Sequence, residues 1–230
     1  MIYKLSNVAA KEEIEEEFGV PFEYPELYNP RMIINGFKEE NLPIITLAEP
    51  EQLQFAIWGL MPNGFKEDWM FFQKQANTLN ISKTEDKFPW AERSLENDRC
   101  LITVTGFYTY LFNNGKIEPF LITLKDNKPF FIAGVYSKLE DGFLTCAVVT
   151  TGTYSNITDH QDISNVAPLI ISKEQGNSWL RDDLDQTSAK ELMGTMYDLE
   201  FNIHSVPKKL FEKEQADKLL RNNLYPFSLN

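Results

Sequence analysis

Between residues 100 and 171 the chain reads as a succession of strand segments broken by turns. Cys100–Val104, Phe107–Phe112, Pro119–Leu124, Pro129–Tyr136, Phe143–Thr151 and Leu169–Ile171 are rich in Ile, Val, Phe, Tyr and Thr, the residues that suit a pleated, half-buried surface. Asn113-Asn114-Gly115, Asp126-Asn127 and Asp141-Gly142 separate several of them, and Asn, Asp and Gly accept the backbone angles that tight turns require. Shorter strand signals lie upstream at Met1–Leu5, Arg31–Ile34, Leu42–Leu47 and Gln54–Gly59.

Helices flank this strand-rich section. Asn7 stands where it could cap a helix over Ala9–Phe18, in which Ile14 and Phe18 share a face and Gly19 supplies the stop. Ser172 with Gln175, and Ser188 with Glu191, have the spacing of capping boxes. Pro207 can open a last helix anchored by Leu210, Phe211, Leu219 and Leu220. No linker composition and no repeat divides the 230 residues. The expected fold is α+β: a single domain over 1–230 with a mainly antiparallel, barrel-like β core and flanking helices.

Charge narrows the functional classes. Against 22 Lys+Arg stand 34 Asp+Glu, a formal net charge of -12, the opposite of what phosphate-driven binding to duplex DNA favours. Cys100 and Cys146 sit in apolar strand segments and read as inert core thiols, neither a disulfide framework nor a metal site. Two histidines, His160 and His204, are too few for a three-histidine site, so neither metal nor cofactor is expected. No secretory leader or membrane-length apolar run is evident, which makes the cytoplasm the expected location.

Taken residue by residue, the chemistry is sparse. His160, in the loop Asp159-His160-Gln161-Asp162, could exchange protons near neutrality; a plain exposed loop histidine is the competing reading. His204 falls in a strand-like terminal run. Trp58-Gly59-Leu60-Met61-Pro62 joins a strand to a bend around a buried Trp, and Asn77 and Asn80 could hold a ligand or simply cap local backbone.

Together, in order, these segments resemble the SOS-response-associated peptidase family, whose better-known members shield abasic sites in single-stranded DNA. Trp58-Gly59-Leu60-Met61-Pro62 is similar to the family's WGLIP segment, and Asn80-Ile81-Ser82-Lys83-Thr84-Glu85 to its asparagine-alanine-arginine run. Arg99-Cys100-Leu101-Ile102 with Gly106-Phe107-Tyr108-Thr109-Tyr110 resembles its RCLIP…GFYEW run, and Pro119-Phe120, Ala133-Gly134-Val135-Tyr136, Thr150-Thr151, Pro168 and Trp179-Leu180 continue the series. The resemblance implies a groove for single-stranded DNA. It also implies a cysteine nucleophile directly after the initiator methionine, assisted by a glutamate, an asparagine and a loop histidine.

The departures fall on those positions. Ile2 stands in place of the cysteine, and its bulk disfavours removal of Met1; Thr109 stands in place of the glutamate. Ser82 and Val166 replace arginines suited to phosphate. Ser164 falls on the histidine position, with His160 four residues ahead of it. The candidate catalytic residues are therefore Met1, Asn80 and His160, with Ile2 and Thr109 marking losses. Candidate DNA contacts are Trp58, Pro62, Asn80, Ser82 and Lys83. The expectation is a catalytically impaired member, monomeric, that binds single-stranded DNA weakly or another protein. Two alternatives are open: an active abasic-site crosslinking protein that uses the Met1 amine, and a non-catalytic protein-binding scaffold.

Overall fold

The computed structural model describes residues 1–82, 88–193 and 199–211. In chain order the elements are β1 (Lys4–Asn7), α1 (Lys11–Phe18), β2 (Arg31–Asn35), β3 (Asn41–Thr46), β4 (Gln54–Trp58), α2 (Trp69–Ala76), β5 (Asn80–Ser82) and α3 (Pro89–Asn97). They continue with β6 (Arg99–Val104), β7 (Gly106–Asn113), β8 (Lys116–Leu124), β9 (Phe130–Lys138) and β10 (Leu144–Gly152). After a 3-10 turn at Ser155–His160 come β11 (Val166–Pro168), β12 (Ile170–Ile171), α4 (Lys173–Trp179), α5 (Gln186–Met193), β13 (Phe201–Ser205) and a 3-10 turn at Lys208–Phe211.

The expected α+β architecture with a barrel-like core is what the chain forms. β3 pairs with β4 and β6, β6 with β9, β9 with β10, and β10 returns to β4, closing a barrel. Closure removes the unpaired edges that so many apolar strands would otherwise expose. The pairing is antiparallel except where β10 meets β4 and β5, which run parallel to it. A second sheet, in the order β13-β8-β7-β1-β2, packs against the barrel. Leu5, Ile34, Phe107 and Ile122 of that sheet join Leu42, Ala56, Trp58, Ile102 and Cys146 of the barrel in one buried cluster. Each fully buried Leu, Ile or Phe there stabilises the fold by about 1.5–3 kcal/mol.

α1 ends as expected, with Gly19 at φ 73 accepting the left-handed turn. Its start is different. Asn7 does not cap it: that residue is buried in β1, where its side-chain amide donates to the Thr103 carbonyl and its Oδ1 accepts from the Tyr28 hydroxyl. The Ser172–Gln175 capping box forms, whereas Ser188 lies inside α5 and its N–H donates to Asp185 Oδ1 at 2.7 Å. Asp185 makes a better acceptor for an orphan N–H because it carries charge. α2 was not anticipated, because its Trp69-Met70-Phe71-Phe72 run has strand-like composition; Asp68 caps it and Trp69 and Gln73, four apart, form its buried face. Of the expected last helix only a 3-10 turn with buried Leu210 falls in the described region; Leu219 and Leu220 lie outside it.

Arg99 shows how the helices are fastened. Its guanidinium is wholly buried and donates to the carbonyls of Leu95, Glu96, Trp179 and Arg181. One side chain thus satisfies orphan carbonyls at the ends of both α3 and α4. Its charge is therefore spent inside the fold and offers nothing to the surface near Asn80.

Candidate functional site

The site is built around the first two residues. Asn80 stands on β5, which is held beside β10 in the register Asn80↔Val148. Its preceding residue is fixed twice: the Leu79 carbonyl accepts from the Trp58 indole at 2.9 Å and from the Val148 N–H at 3.0 Å. So supported, the Asn80 amide closes a two-way clamp on the backbone of Ile2. Its Oδ1 accepts from the Ile2 N–H at 3.1 Å, and its Nδ2 donates to the Ile2 carbonyl at 2.7 Å. The Ile2 side chain is buried in the main core, at 2% exposure.

Met1 projects outward from that clamp. Its amine donates to the Ser164 hydroxyl, and its sulfur lies 3.2 Å from the Asn77 amide nitrogen. Ser164 belongs to the loop that follows the 3-10 turn at Ser155–His160. Gln161 folds this loop by donating to the Ser164 and Val166 carbonyls at 2.6 and 2.7 Å. The loop is tied to β7, where the Tyr110 carbonyl accepts from the Asp162 N–H and Asp162 Oδ1 accepts from the Phe112 N–H.

β7 carries Thr109, which is buried and faces Phe120 across the β7–β8 pair. The Phe120 ring in turn meets His160 edge-on, with centroids 4.9 Å apart. Among the described residues, Thr109 Oγ1, His160 Nδ1, Gln161 Oε1 and Asn77 Oδ1 are buried without a hydrogen-bond partner. Buried polar atoms seldom stay unsatisfied in a settled core, so their gathering on the segments that surround the N-terminus marks a place where a ligand or water could complete the bonding.

Several sequence expectations need restating against this geometry. Met1, Ile2 and Asn80 come together, and Ser164 joins them; no direct bond links His160 to Met1. Trp58 has no exposed surface, so it supports Asn80 from beneath instead of offering a face on which a base could stack. Gly59 follows it at φ 124, and a side chain there would meet the Gln73 amide at 2.6 Å; only glycine fits. Pro62 and Ser82 are partly exposed, and Lys83 lies outside the described residues. Among the described residues no group of side chains has the make-up of a metal site, and no helix is long and apolar enough to cross a membrane. Cys100 and Cys146 are buried, and burial pushes both thiols up, away from reactivity. Sequence reasoning raised Asn77 as a ligand holder or a local cap, and the structure sets its amide against the Met1 sulfur. It missed Gln161 as part of the site, because nothing in the local pattern distinguished that residue from an ordinary turn residue.

A family model for the SOS response associated peptidase (SRAP) matches residues 1–212. The chain belongs to this family. It is 22% identical over 156 residues to an abasic site processing protein of Saccharomyces cerevisiae, an alignment that takes in 66% of this chain and 41% of that protein. The chain therefore matches less than half the length of that relative. A solved structure from Bacteroides thetaiotaomicron superposes with a TM-score of 0.82 at 21% identity, covering 95% of this chain and 97% of the other. One from Bordetella bronchiseptica gives 0.71 at 16% identity, covering 89% and 99%. A phage-related protein of the same organism gives 0.62 at 18%, covering 90% and 94%. At these identities the structural likeness speaks for the SRAP fold alone.

Proposed function

We propose that this protein is a SRAP-family member that retains the fold and the N-terminal site but not the cysteine-based capture of abasic sites, and that its remaining role is binding, to single-stranded DNA or to a protein. The observation that carries this reading is the Asn80 clamp on Ile2. The residue held at the centre of the site has a buried hydrocarbon side chain, which offers neither thiol nor amine nucleophile. Thr109 adds support, since a hydroxyl cannot replace a carboxylate as proton donor and acceptor near neutral pH. The acidic balance and the exchange of two expected arginines for Ser82 and Val166 argue that any grip on phosphate is weak.

Met1 supports a second reading. It is 42% exposed and its amine sits at the site, so it could condense with an aldehyde. Without a thiol to close a ring, that product would be an open imine, which water reverses.

Incubation with single-stranded DNA bearing an abasic site, followed by denaturing electrophoresis, tests the proposal. No heat-stable shifted band is expected at neutral pH, and such a band would overturn it. Fluorescence anisotropy over a salt series tests the binding role. Weak, salt-sensitive affinity is expected for the natural chain, and restoring Ser82→Arg and Val166→Arg should tighten binding and steepen its salt dependence. Tight, salt-insensitive binding by the natural chain would refute the phosphate-poor groove.

A further inference from the structure

We propose that Lys4 is a carbonyl-reactive amine, its ε-amino group enclosed by the rings of Tyr3, Tyr110 and Phe211 and able to form a Schiff base with aliphatic aldehydes. Lys4 opens β1, two residues beyond the Asn80 clamp, and is partly buried beside Tyr110, whose side chain points to the face of β7 opposite that of its neighbour Thr109. Its nitrogen lies 4.3 Å from the Tyr3 ring centroid, 5.1 Å from that of Phe211 and 5.6 Å from that of Tyr110. The cage is itself braced: Tyr3 stacks on Tyr110 at 5.2 Å with an interplanar angle of 5°, and Phe37 packs on Tyr3 at 5.3 Å.

An ammonium in such a place is poorly compensated. Among the described residues none of the ion pairs includes Lys4. Burial also raises the pKa of both Tyr3 and Tyr110, so neither phenol supplies a negative charge at neutral pH. The rings attract the ammonium, but they also strip its water, and that loss pulls the Lys4 pKa down to about 8. At that value about a tenth of the amine is free base at pH 7, roughly two-hundred-fold more than for an unperturbed lysine.

The chemistry balances without a cofactor. The amine lone pair attacks the carbonyl carbon, forming the C–N bond while the C=O π pair moves to oxygen and takes a proton. Loss of water from the resulting carbinolamine gives the imine. This step needs neither DNA binding nor the Met1 amine, so it stands or falls separately from the proposed function.

The test treats the intact protein at pH 7 with propanal and cyanoborohydride, which fixes the imine as a secondary amine. Peptide mapping then separates label on the Met1 amine from label on Lys4 by fragment ions. Lys4 should be alkylated at least ~10-fold faster than Lys66, whose side chain is 77% exposed, given the larger free-base fraction. Lys4→Arg should lose that label alone. Tyr3→Phe should keep the rate, and Tyr3→Ala should drop it toward that of Lys66. A pH–rate midpoint near 8 supports the proposal independently of any variant. Labelling of Lys4 no faster than Lys66, or a midpoint above 10, would overturn it.

Discussion

The two sides of the N-terminal site differ in how completely they are bonded. On the β5 side the Asn80 amide satisfies both backbone groups of Ile2, and Asn80 is itself positioned through Leu79 by Trp58 and Val148. On the β7 side Thr109 Oγ1 and His160 Nδ1 are buried without partners. A satisfied network in a low-dielectric interior specifies one geometry, whereas a half-satisfied one costs stability. The contrast leaves one fixed geometry on the β5 side and unpartnered polar atoms on the β7 side.

The largest effect should come from breaking the well-bonded side. Asn80→Leu leaves the Ile2 N–H and carbonyl without partners near the core. It should cost about 2–4 kcal/mol, because both groups lose their bonds and pay desolvation. For a domain of this length each kcal/mol corresponds to roughly 2–4 °C in Tm. Calorimetry would measure it, and a loss below about 1 kcal/mol would mean that the clamp adds little to stability. Asn80→Asp, which keeps the acceptor but not the donor, should fall between.

The opposite sign is expected across the site. Thr109→Val removes an unpartnered hydroxyl while keeping the side-chain shape. Stability should hold or rise by up to about 1–2 kcal/mol, the typical cost of a buried, unsatisfied polar group. A clear destabilisation in urea unfolding would show that the hydroxyl has a partner in solution and that the β7 side is no emptier than the other.

A smaller effect belongs to Lys4, outside both sides. Its folded pKa is depressed to about 8, so below that pH the folded state carries an ammonium that the unfolded chain solvates better. The penalty is relieved as pH rises from about 8 toward the unfolded value near 10.4. Lys4→Met should therefore be the more stable form near pH 7, with the natural chain gaining ground between pH 8 and 10. The difference should stay below about 1 kcal/mol, since solvent still screens a half-buried amine. Above pH 10 the buried tyrosines act the other way in both proteins. Burial holds Tyr108 and Tyr110 protonated in the fold while the unfolded phenols ionise, so stability falls. A pH series of paired unfolding curves separates the two, and a flat difference between pH 7 and 10 would place Lys4 in ordinary solvent.

Much of the fold was legible because its signals are local. Strand composition bounded by Asn, Asp and Gly located β6 through β10 to within a few residues, and the Ser172–Gln175 pair and Gly19 located a helix start and a helix stop. α2 was hidden because eight residues with four large apolar side chains at the start suit a strand as well as a helix. Of the site, Asn80, Met1 and Ile2 were visible through the family resemblance. Asn77 was visible only as an amide with two open readings, and Gln161 was not singled out, because an amide in a turn looks the same whether it caps its neighbours or meets a distant chain end.

The sequence by itself determined which segments become strands, where they turn, and that the residue after Met1 carries no nucleophile. Tertiary structure alone decided that the Met1 amine meets Ser164, 163 residues away, that Arg99 is consumed within the fold, and that Lys4 lies inside an aromatic cage. A strand's two-residue period says which side chains share a face. It does not say which strand lies alongside: β5 beside β10 sets Asn80 against Ile2, and β1 beside β7 sets Lys4 against Tyr110.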